Sequence, residues 1–195
     1  MVQGGWWRYI SSGLQGPVNR FRSDISRFIF DAWFNVVLGS SLIPRDLRSF
    51  LLGLSGIKVA SRANIYPGVR FKSRSISFGN LVMVNERVYF DNLANISIED
   101  SVSIGPEAML ITSTHEMGEA TGRAGRIRSK PITIKSGCWL GARVTVLPGV
   151  TIQEGCVVAA GSIVTCDTTP NGLYAGAPAK RVKELPSVES QTSDS

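Results

Sequence analysis

The chain has 195 residues, enough for one ordinary domain with extensions and too few for two full catalytic domains. Hydrophobic residues make up 43% and charged residues 18%, a balance that excludes a globally disordered chain. The 21 basic residues against 15 acidic ones leave a formal charge of +6, which indicates an anionic partner: a nucleic acid, a membrane surface or a phosphorylated ligand.

Residues 1–56 are predicted to form a helical cap or extension. Apolar residues among charged ones recur at helical spacing, which predicts an amphipathic helix; they are Phe21, Ile25, Phe28, Ile29, Ala32, Trp33 and Val36. Pro44 followed by residues 45–52 predicts a second, short helix. We expect this cap to cover the open end of the next domain, and peripheral membrane contact is the alternative interpretation.

Three observations favour a reducing, cytoplasmic compartment. The first twenty residues lack the basic start and apolar run of a secretory signal. The most apolar stretch, residues 28–38, contains Asp31 and Asn35 and is too short to span a bilayer. The cysteines, at 138, 156 and 166, are too few for a disulfide framework and form no CxxC pair, so we expect no metal site.

Residues 57–170 carry an apolar residue at every sixth position, with a few phase shifts. These lead residues are Val59, Ile65, Phe71, Phe78, Val84, Phe90, Ile98, Ile104, Leu110, Ile134, Leu140, Val146, Ile152, Val158 and Val164. A small or β-branched residue follows each of them four positions later. A period of six is neither that of a helix nor that of simple alternation along a strand, and it indicates a hexapeptide repeat.

A turn after each short strand restarts such a pattern. Three strands of six residues make one triangular coil, and stacked coils pair their strands in parallel. Fifteen lead residues, three to a coil, give five coils. Glycines at 137, 149, 155 and 161 fall where the chain must turn. The sequence therefore predicts an all-β fold, a parallel β-helix with the lead residues inside.

One long interruption, residues 116–131, breaks the repeat. Its basic residues are Arg123, Arg126, Arg128 and Lys130. We expect this extruded loop to close over a neighbouring subunit's site and contact an anionic acceptor, the alternative being a mobile solvated loop. No aromatic residues alternate with the arginines, so we expect no nucleic-acid partner. Residues 171–184 are predicted to form a C-terminal segment with a short helix, and residues 185–195 a disordered tail.

Three segments resemble the left-handed β-helix (hexapeptide-repeat) acyltransferases, in the branch of maltose, galactoside and polysaccharide O-acetyltransferases. They are ITSTHE at 111–116, the repeat run at 131–165 and YAGAPAKRV at 174–182, and the resemblance covers residues 57–184. It implies a left-handed β-helix and a homotrimer with active sites between subunits. It also implies acetyl-CoA as the acyl donor, no metal, and a sugar or glycan hydroxyl that attacks the thioester directly.

His115 is the single histidine of the chain and lies in the first of these segments. A sugar hydroxyl is barely ionised at neutral pH, so its attack on a thioester needs a base, and imidazole suits this task. The resemblance implies that His115 is this general base; the alternative is an incidental surface histidine.

The resemblance also implies binding residues. Asn85 and Asp91 would contact the acceptor, although the residues around Asp91 align imperfectly and Asn85 also suits a structural corner. The implied CoA-binding residues are Trp139, Gly141, Ala142, Ala160, Thr165, Lys180, Arg181 and Lys183. Cys166 stands where the family commonly has a lysine, which removes one phosphate contact. The alternative is a subunit-interface aromatic for Trp139 and a solvated surface for the basic cluster at 180–183.

Three functions remain open at this point. The first is acetyl-CoA-dependent O-acetyl transfer to a sugar or polysaccharide precursor. The second is acylation of an amino-sugar nucleotide on nitrogen, or of serine, by a similar coil. The third is a non-catalytic scaffold. A zinc carbonic anhydrase on the same coil needs several histidine ligands, and one histidine excludes it.

Overall fold

The computed structural model describes residues 21–186, in which short parallel strands stack into a three-sided prism. The first face contains β1 (Lys58–Val59), β4 (Ile76–Phe78), β7 (Ile96–Ile98), β12 (Ile132–Ile134) and β15 (Thr151–Ile152). The second contains β2 (Asn64–Ile65), β5 (Met83–Val84), β8 (Ser103–Ile104), β13 (Trp139–Leu140), β16 (Val157–Val158), β18 (Gly172–Gly176) and β19 (Ala179–Glu184). The third contains β3 (Arg70–Phe71), β6 (Tyr89–Asp91), β9 (Met109–Ile111), β14 (Thr145–Val146) and β17 (Ile163–Val164).

The parallel β-helix expected from the repeat is thus confirmed. Five complete coils are present, and β18 adds a strand of a sixth by pairing in parallel with β16. Of the lead residues all but Val59 are buried, and together they fill the prism interior. Apolar side chains repeat at one inward position of each short strand because only that position faces the interior.

The corners are tight turns with one residue in the left-handed region. Gly137, Gly149, Gly155 and Gly161 have φ between +65° and +87°, as their positions in the repeat predicted. Other residues adopt the same conformation without being glycine: Leu81, Arg87, Ser101, Glu107, Arg143 and Asn171. An L-residue in this region costs about 1–2 kcal/mol, so the stacked hydrogen bonds of the corners, rather than local preference, impose it.

The N-terminal cap contains two helical segments, as predicted. Helix α1 spans residues 21–30 and continues as a π-helical segment, Asp31–Val37, in which the Leu38 amide donates to the Trp33 carbonyl at 2.9 Å. Helix α2 spans Arg45–Leu54. In the described part of the chain, no helix is both long and apolar enough to cross a membrane.

The face on which the first helix packs differs from the predicted one. Phe34 and Leu38 are buried, and Phe30 packs against them. Of the seven apolar residues at the predicted spacing, Ala32 is half-buried and the other six are exposed, from 40% for Trp33 to 72% for Phe28. The packed residues Phe30, Phe34 and Leu38 follow each other at a spacing of four, so another side of the helix faces the prism than the one the sequence period indicated. Membrane contact by this helix stays a prediction.

Arg48 fastens the cap to the first coil. Its side chain is 2% exposed, and its guanidinium donates four hydrogen bonds to backbone carbonyls. The acceptors are Leu38 at 2.7 Å, Ser40 at 2.7 Å, Ile43 at 2.8 Å and Ile65 at 3.0 Å. Desolvation lowers the pKa of Arg48, and no carboxylate of the described residues pairs with it.

The prediction of a short C-terminal helix is wrong. Strands β18 and β19 form an antiparallel hairpin, with Leu173 opposite Lys183. Gly176, with φ +98°, ends β18, and Pro178, which has no amide hydrogen, keeps the turn out of the ladder. The hairpin covers the last edge of the second face, which a helix would leave unpaired. The predicted disorder of the tail falls, from residue 187 onward, outside the described residues.

Candidate functional site

The interruption of the repeat is a hairpin rather than an irregular loop. Strand β10 (Ser113–Met117) pairs antiparallel with β11 (Ala124–Ser129), and the hairpin leaves the prism between β9 and β12. Gly125 allows the two strands to approach closely, because a Cβ there would lie 2.9 Å from the carbonyl oxygen of Glu116. The expected extruded loop is therefore an ordered element.

His115 lies in the middle of β10, opposite Ile127, and is exposed. Its Nδ1 is 2.8 Å from the carbonyl oxygen of Gly125. A carbonyl can only accept, so Nδ1 carries the proton and donates it to this bond. In the neutral imidazole, Nε2 then has a free lone pair. The hairpin thus orients the ring and presents a proton acceptor to solvent.

The two faces of the hairpin differ in chemistry. Met117 lies two residues from His115 on the same face of β10, and Ile127 lies across from it; their exposed fractions are 81% and 58%. On the other face Glu116 pairs with Arg128. An apolar face on an isolated two-stranded hairpin needs cover to be stable, and the described residues do not supply it.

Asp91 anchors the base of this hairpin. Its carboxylate is nearly buried, contacts the ammonium of Lys72 at 2.9 Å, and accepts hydrogen bonds from the hydroxyl and amide of Ser113. Burial alone would raise the pKa of Asp91, but the hydrogen bonds from Ser113 and Lys72 and the charge of Lys72 outweigh burial, so the pKa lies below its usual value. Asp91 therefore has internal partners for its charge.

A groove of about 460 Å³ runs along the second face of the prism, beside the corner with the third. It brings together five of the residues named from the sequence: Asn85, Trp139, Gly141, Ala142 and Ala160. Its floor is close-packed backbone, since a Cβ on Gly105 would lie 2.6 Å from the Ala142 nitrogen, and one on Gly141 would lie 2.6 Å from the Ala160 nitrogen. The exposed ring of Trp139 forms one wall.

The remaining named residues lie elsewhere in the chain. Thr165 is exposed after β17, beyond the groove lining, and Asp91 lies under the hairpin. Lys180, Arg181 and Lys183 lie on β19. Arg181 already donates to the carbonyls of residues 170 and 171, at 3.1 and 3.3 Å, and pairs with Glu184. His115 does not line the groove either. Within one chain, the candidate general base therefore lies outside the groove.

Several residues that line the groove were not identified as site residues from the sequence, among them Met83 and Pro106. Met83 stands directly before the lead residue Val84, at a position that faces outward from the prism. The signal that could have identified Met83 is an apolar residue at an outward position of the repeat, which is also the position of Trp139. No cluster of three candidate metal ligands occurs among residues 21–186, and the groove lining contains no ionisable side chain.

Residues 131–166 match the family model described as bacterial transferase hexapeptide (six repeats). A solved galactoside acetyltransferase in complex with coenzyme A is 30% identical, with a TM-score of 0.70, over 87% of this chain and 82% of that one. The chain belongs to the hexapeptide-repeat acetyltransferase family. The resemblance found in the three sequence segments is thereby confirmed.

Other members of the family show the same relation. Galactoside O-acetyltransferase of Escherichia coli K12 is 34% identical over 133 residues, which are 65% of this chain and 63% of that protein. A hexapeptide-repeat acetyltransferase of Vibrio cholerae, solved with acetyl coenzyme A, is 28% identical with a TM-score of 0.70, over 88% and 90% of the two chains. The chain spans between 54% and 63% of the length of the first curated relatives it matches.

Proposed function

We propose that the chain is an acetyl-CoA-dependent acetyltransferase that acts on a hydroxyl of a sugar or polysaccharide precursor. The observation that carries the proposal is His115, whose Nδ1 proton is engaged by the Gly125 carbonyl so that Nε2 is a free acceptor. The family membership supports it, because the Escherichia coli relative is named a galactoside O-acetyltransferase and another solved relative holds coenzyme A.

In the proposed reaction, the acceptor hydroxyl gives its proton to Nε2 of His115 while its oxygen attacks the thioester carbon. The tetrahedral intermediate collapses with cleavage of the carbon–sulfur bond. The thiolate of CoA leaves and takes the proton from the imidazolium, so the products are an O-acetyl ester and CoA. The Gly125 carbonyl steadies the ring throughout, because it favours the positively charged form that exists between the two proton transfers.

The groove suits the donor. A narrow chain such as pantetheine can lie against the close-packed backbone floor at Gly105 and Gly141. Asn85, at the end of the groove, has an amide that can donate and accept hydrogen bonds with a sugar hydroxyl. The roles of Thr165, Lys180 and Lys183 toward CoA stay predictions, and Asp91 and Arg181 would have to give up existing partners to fulfil theirs.

We further propose a homotrimer in which the hairpin of one subunit faces the groove of its neighbour. Two features support this arrangement: His115 lies outside the groove lining of its own chain, and Met117 and Ile127 beside it are exposed apolar residues that a neighbour would cover. A cytoplasmic location is part of the proposal and agrees with the free thiols of Cys138, Cys156 and Cys166.

Replacement of His115 tests the function. His115→Ala should lower the turnover of acetyl transfer about 10²–10⁴-fold, the usual contribution of a positioned base, while CoA binding by calorimetry is retained. Thr114→Ala is the matched control, because Thr114 is the exposed neighbour on the other face of the same strand. Activity of His115→Ala at the level of Thr114→Ala would contradict the proposal.

A panel of acceptors separates the alternatives. Thiol release from acetyl-CoA is followed with sugars, amino-sugar nucleotides and serine as acceptors. O-acetylation of sugars supports the proposal, and preferred transfer to an amine or to serine would replace it with the second function. If the wild-type protein neither binds CoA nor releases thiol with any acceptor, the non-catalytic scaffold is the interpretation that remains.

A further inference from the structure

One corner of the prism carries a column of charged residues. Where the second face meets the third, the turns of successive coils stack residues 68, 87, 107, 143 and 161 through backbone hydrogen bonds. All five have φ between +57° and +74°, and the first and last are glycine. The middle three are Arg87, Glu107 and Arg143, which we call the corner column.

Local conformation does not explain these three residues. The left-handed region favours glycine, and long side chains adopt it at a cost that the end positions of the same corner avoid. The ion pairs of the column do not offset the cost of the left-handed conformation. The arginine side chains are 65% and 75% exposed, and solvated ion pairs contribute little to stability. The column therefore places two arginines and a glutamate at positions where glycine would be without strain, and their contacts must show what the side chains can do.

Glu107 holds the two arginines side by side. Its carboxylate accepts from Arg87 at 2.9 Å on one oxygen and from Nε of Arg143 at 2.6 Å on the other. The hydrogen bond and charge of Arg143 hold the pKa of Glu107 below its usual range, so the bridge stays ionised at neutral pH. Each guanidinium has five N–H donors, so most of them are still directed to solvent.

The corner column adjoins the groove. A shallow depression of about 450 Å³ is lined by Arg87, Glu107 and Arg143, and it shares Pro106, Ala142 and Ala160 with the groove. Two arginines against one carboxylate leave this depression with a net positive charge, and Glu86, the preceding residue in the chain, does not line it. A ligand that lies in the groove therefore passes within reach of the two guanidiniums.

We propose that the corner column is a binding subsite for a phosphate group of the ligand that occupies the groove. Guanidinium donors match phosphate oxygens in geometry and charge, and the bridge by Glu107 sets two of them side by side. The phosphate belongs to coenzyme A or to a phosphorylated sugar acceptor. This inference rests on the proposed function for the identity of the ligand.

The test removes one charge at a time. Arg87→Gln and Arg143→Gln are compared with Lys58→Gln, which removes the same charge from the exposed end of the first face. Calorimetry gives the affinity for coenzyme A and for pantetheine, which lacks the phosphates. Kinetics at saturating acetyl-CoA gives KM for galactose 1-phosphate and for galactose.

A loss of about 5–20-fold in coenzyme A affinity with pantetheine unchanged supports the subsite and assigns it to the donor. The same loss in KM for galactose 1-phosphate alone supports it and assigns it to the acceptor. The proposal is overturned if no phosphorylated compound changes more than twofold beyond Lys58→Gln, or if the unphosphorylated compounds change equally.

Arg143→Gly distinguishes binding from a structural role. Glycine suits the left-handed turn, so this variant should keep or raise the melting temperature while it loses affinity like Arg143→Gln. A fall of more than about 5 °C would overturn the proposal in favour of a structural ladder. If the wild-type protein neither binds coenzyme A nor transfers acetyl, the proposed function fails separately. The subsite is then judged by titration with inorganic pyrophosphate, which must bind the wild-type protein at least about fivefold tighter than the double Gln variant, or the subsite fails too.

Discussion

Arg48 shows how a single residue can join two parts of a fold. Its guanidinium reaches four carbonyls, three in the turn before α2 and one, that of Ile65, in the first coil. Without Arg48 the enclosed carbonyls of Leu38 and Ile65 would lose a charged donor, whereas the Ser40 carbonyl would keep a bond from the Ile43 amide at 3.3 Å. The residue therefore acts as a buried set of hydrogen-bond donors rather than as one half of an ion pair.

Arg48→Met should lower the free energy of unfolding by about 3 kcal/mol, because two buried and two partly buried carbonyls lose a charged donor. Arg45→Met is the matched control in the same helix. Arg45 is exposed and bonds only the hydroxyl of Tyr66, at 3.3 Å, so a change of less than about 0.5 kcal/mol is expected. Urea denaturation measures both, and equal losses would contradict the role given to Arg48.

Leu81 allows the cost of the corner conformation to be measured. It has φ +58°, whereas Leu93, with the same 49% exposure, is not in the left-handed region. Leu81→Gly should stabilise the fold by about 0.5–1 kcal/mol, because relief of strain exceeds the entropy that glycine adds to the unfolded chain. Leu93→Gly should destabilise it by a similar amount. Thermal unfolding distinguishes the two signs, and destabilisation by both would contradict the argument.

At the scale of elements, the hairpin β10–β11 depends on the prism for its position. It contacts the coil through Asp91, which joins Lys72 of the first coil to Ser113 at the first residue of β10. The depressed pKa of Asp91 means that its ionised form stabilises the fold. This contribution is complete above the usual aspartate pKa of about 3.9 and is lost as the pH falls below it.

Asp91→Asn should therefore reduce stability at pH 7 and reduce it less at pH 3, because below the usual aspartate pKa of about 3.9 the carboxyl of the unfolded wild-type chain is protonated. Denaturation in urea at the two pH values measures the difference. Asp24→Asn, which changes an exposed carboxylate in α1, is the control variant and is measured at the same two pH values. A gap between Asp91→Asn and wild type that is constant with pH would contradict the assignment.

The elements also show what the sequence can predict. The prism was predictable because its interior positions favour apolar side chains. Buried residues such as Ile65 and Val158 therefore recur in the sequence with the period of the coil. The C-terminal helix was predicted wrongly, because basic residues at 180–183 give no sign of the pairing between β18 and β16. The packed face of the first helical segment was missed because apolar residues lie on more than one side of it, and only contact with the prism decides that Phe34 is buried while Phe28 is exposed.

The site was predictable to a similar degree. The motifs named His115 and five residues that the structure brings together in one groove, while the functional roles of these residues stay predictions. The partner of His115 was not predictable, because Gly125 lies ten residues away and faces it only through the register of the hairpin. The corner column was also missed, since only the backbone angles show that Arg87 and Arg143 stand in place of glycine.

At the scale of the whole molecule, the separation of His115 from the groove gives a test of assembly. His115→Ala leaves the groove intact, and Ala142→Trp fills the groove while it leaves the hairpin intact. If each site combines the hairpin of one subunit with the groove of the next, trimers of the two inactive variants, mixed in equal amounts by refolding, should regain up to about a quarter of wild-type activity.

Two controls accompany the mixing experiment. Each variant alone, taken through the same refolding, should stay inactive, and light scattering should give three times the 21.1 kDa mass of the chain. Mixed trimers without any recovery of activity would show that each site is built within one chain.

The position of the hairpin in the stack bears on how the chain tolerates insertions. Strand β7 pairs with β12, so Ile96 meets Ile132, whereas in the preceding coil Ser77 meets Ser97. The hairpin thus nearly doubles the length of chain that one coil must close. Such a doubling costs only about 0.6 kcal/mol of loop entropy, and the strands above and below keep their register. The prism can therefore exchange or lengthen the segment that carries its histidine at little thermodynamic cost and without a change of fold.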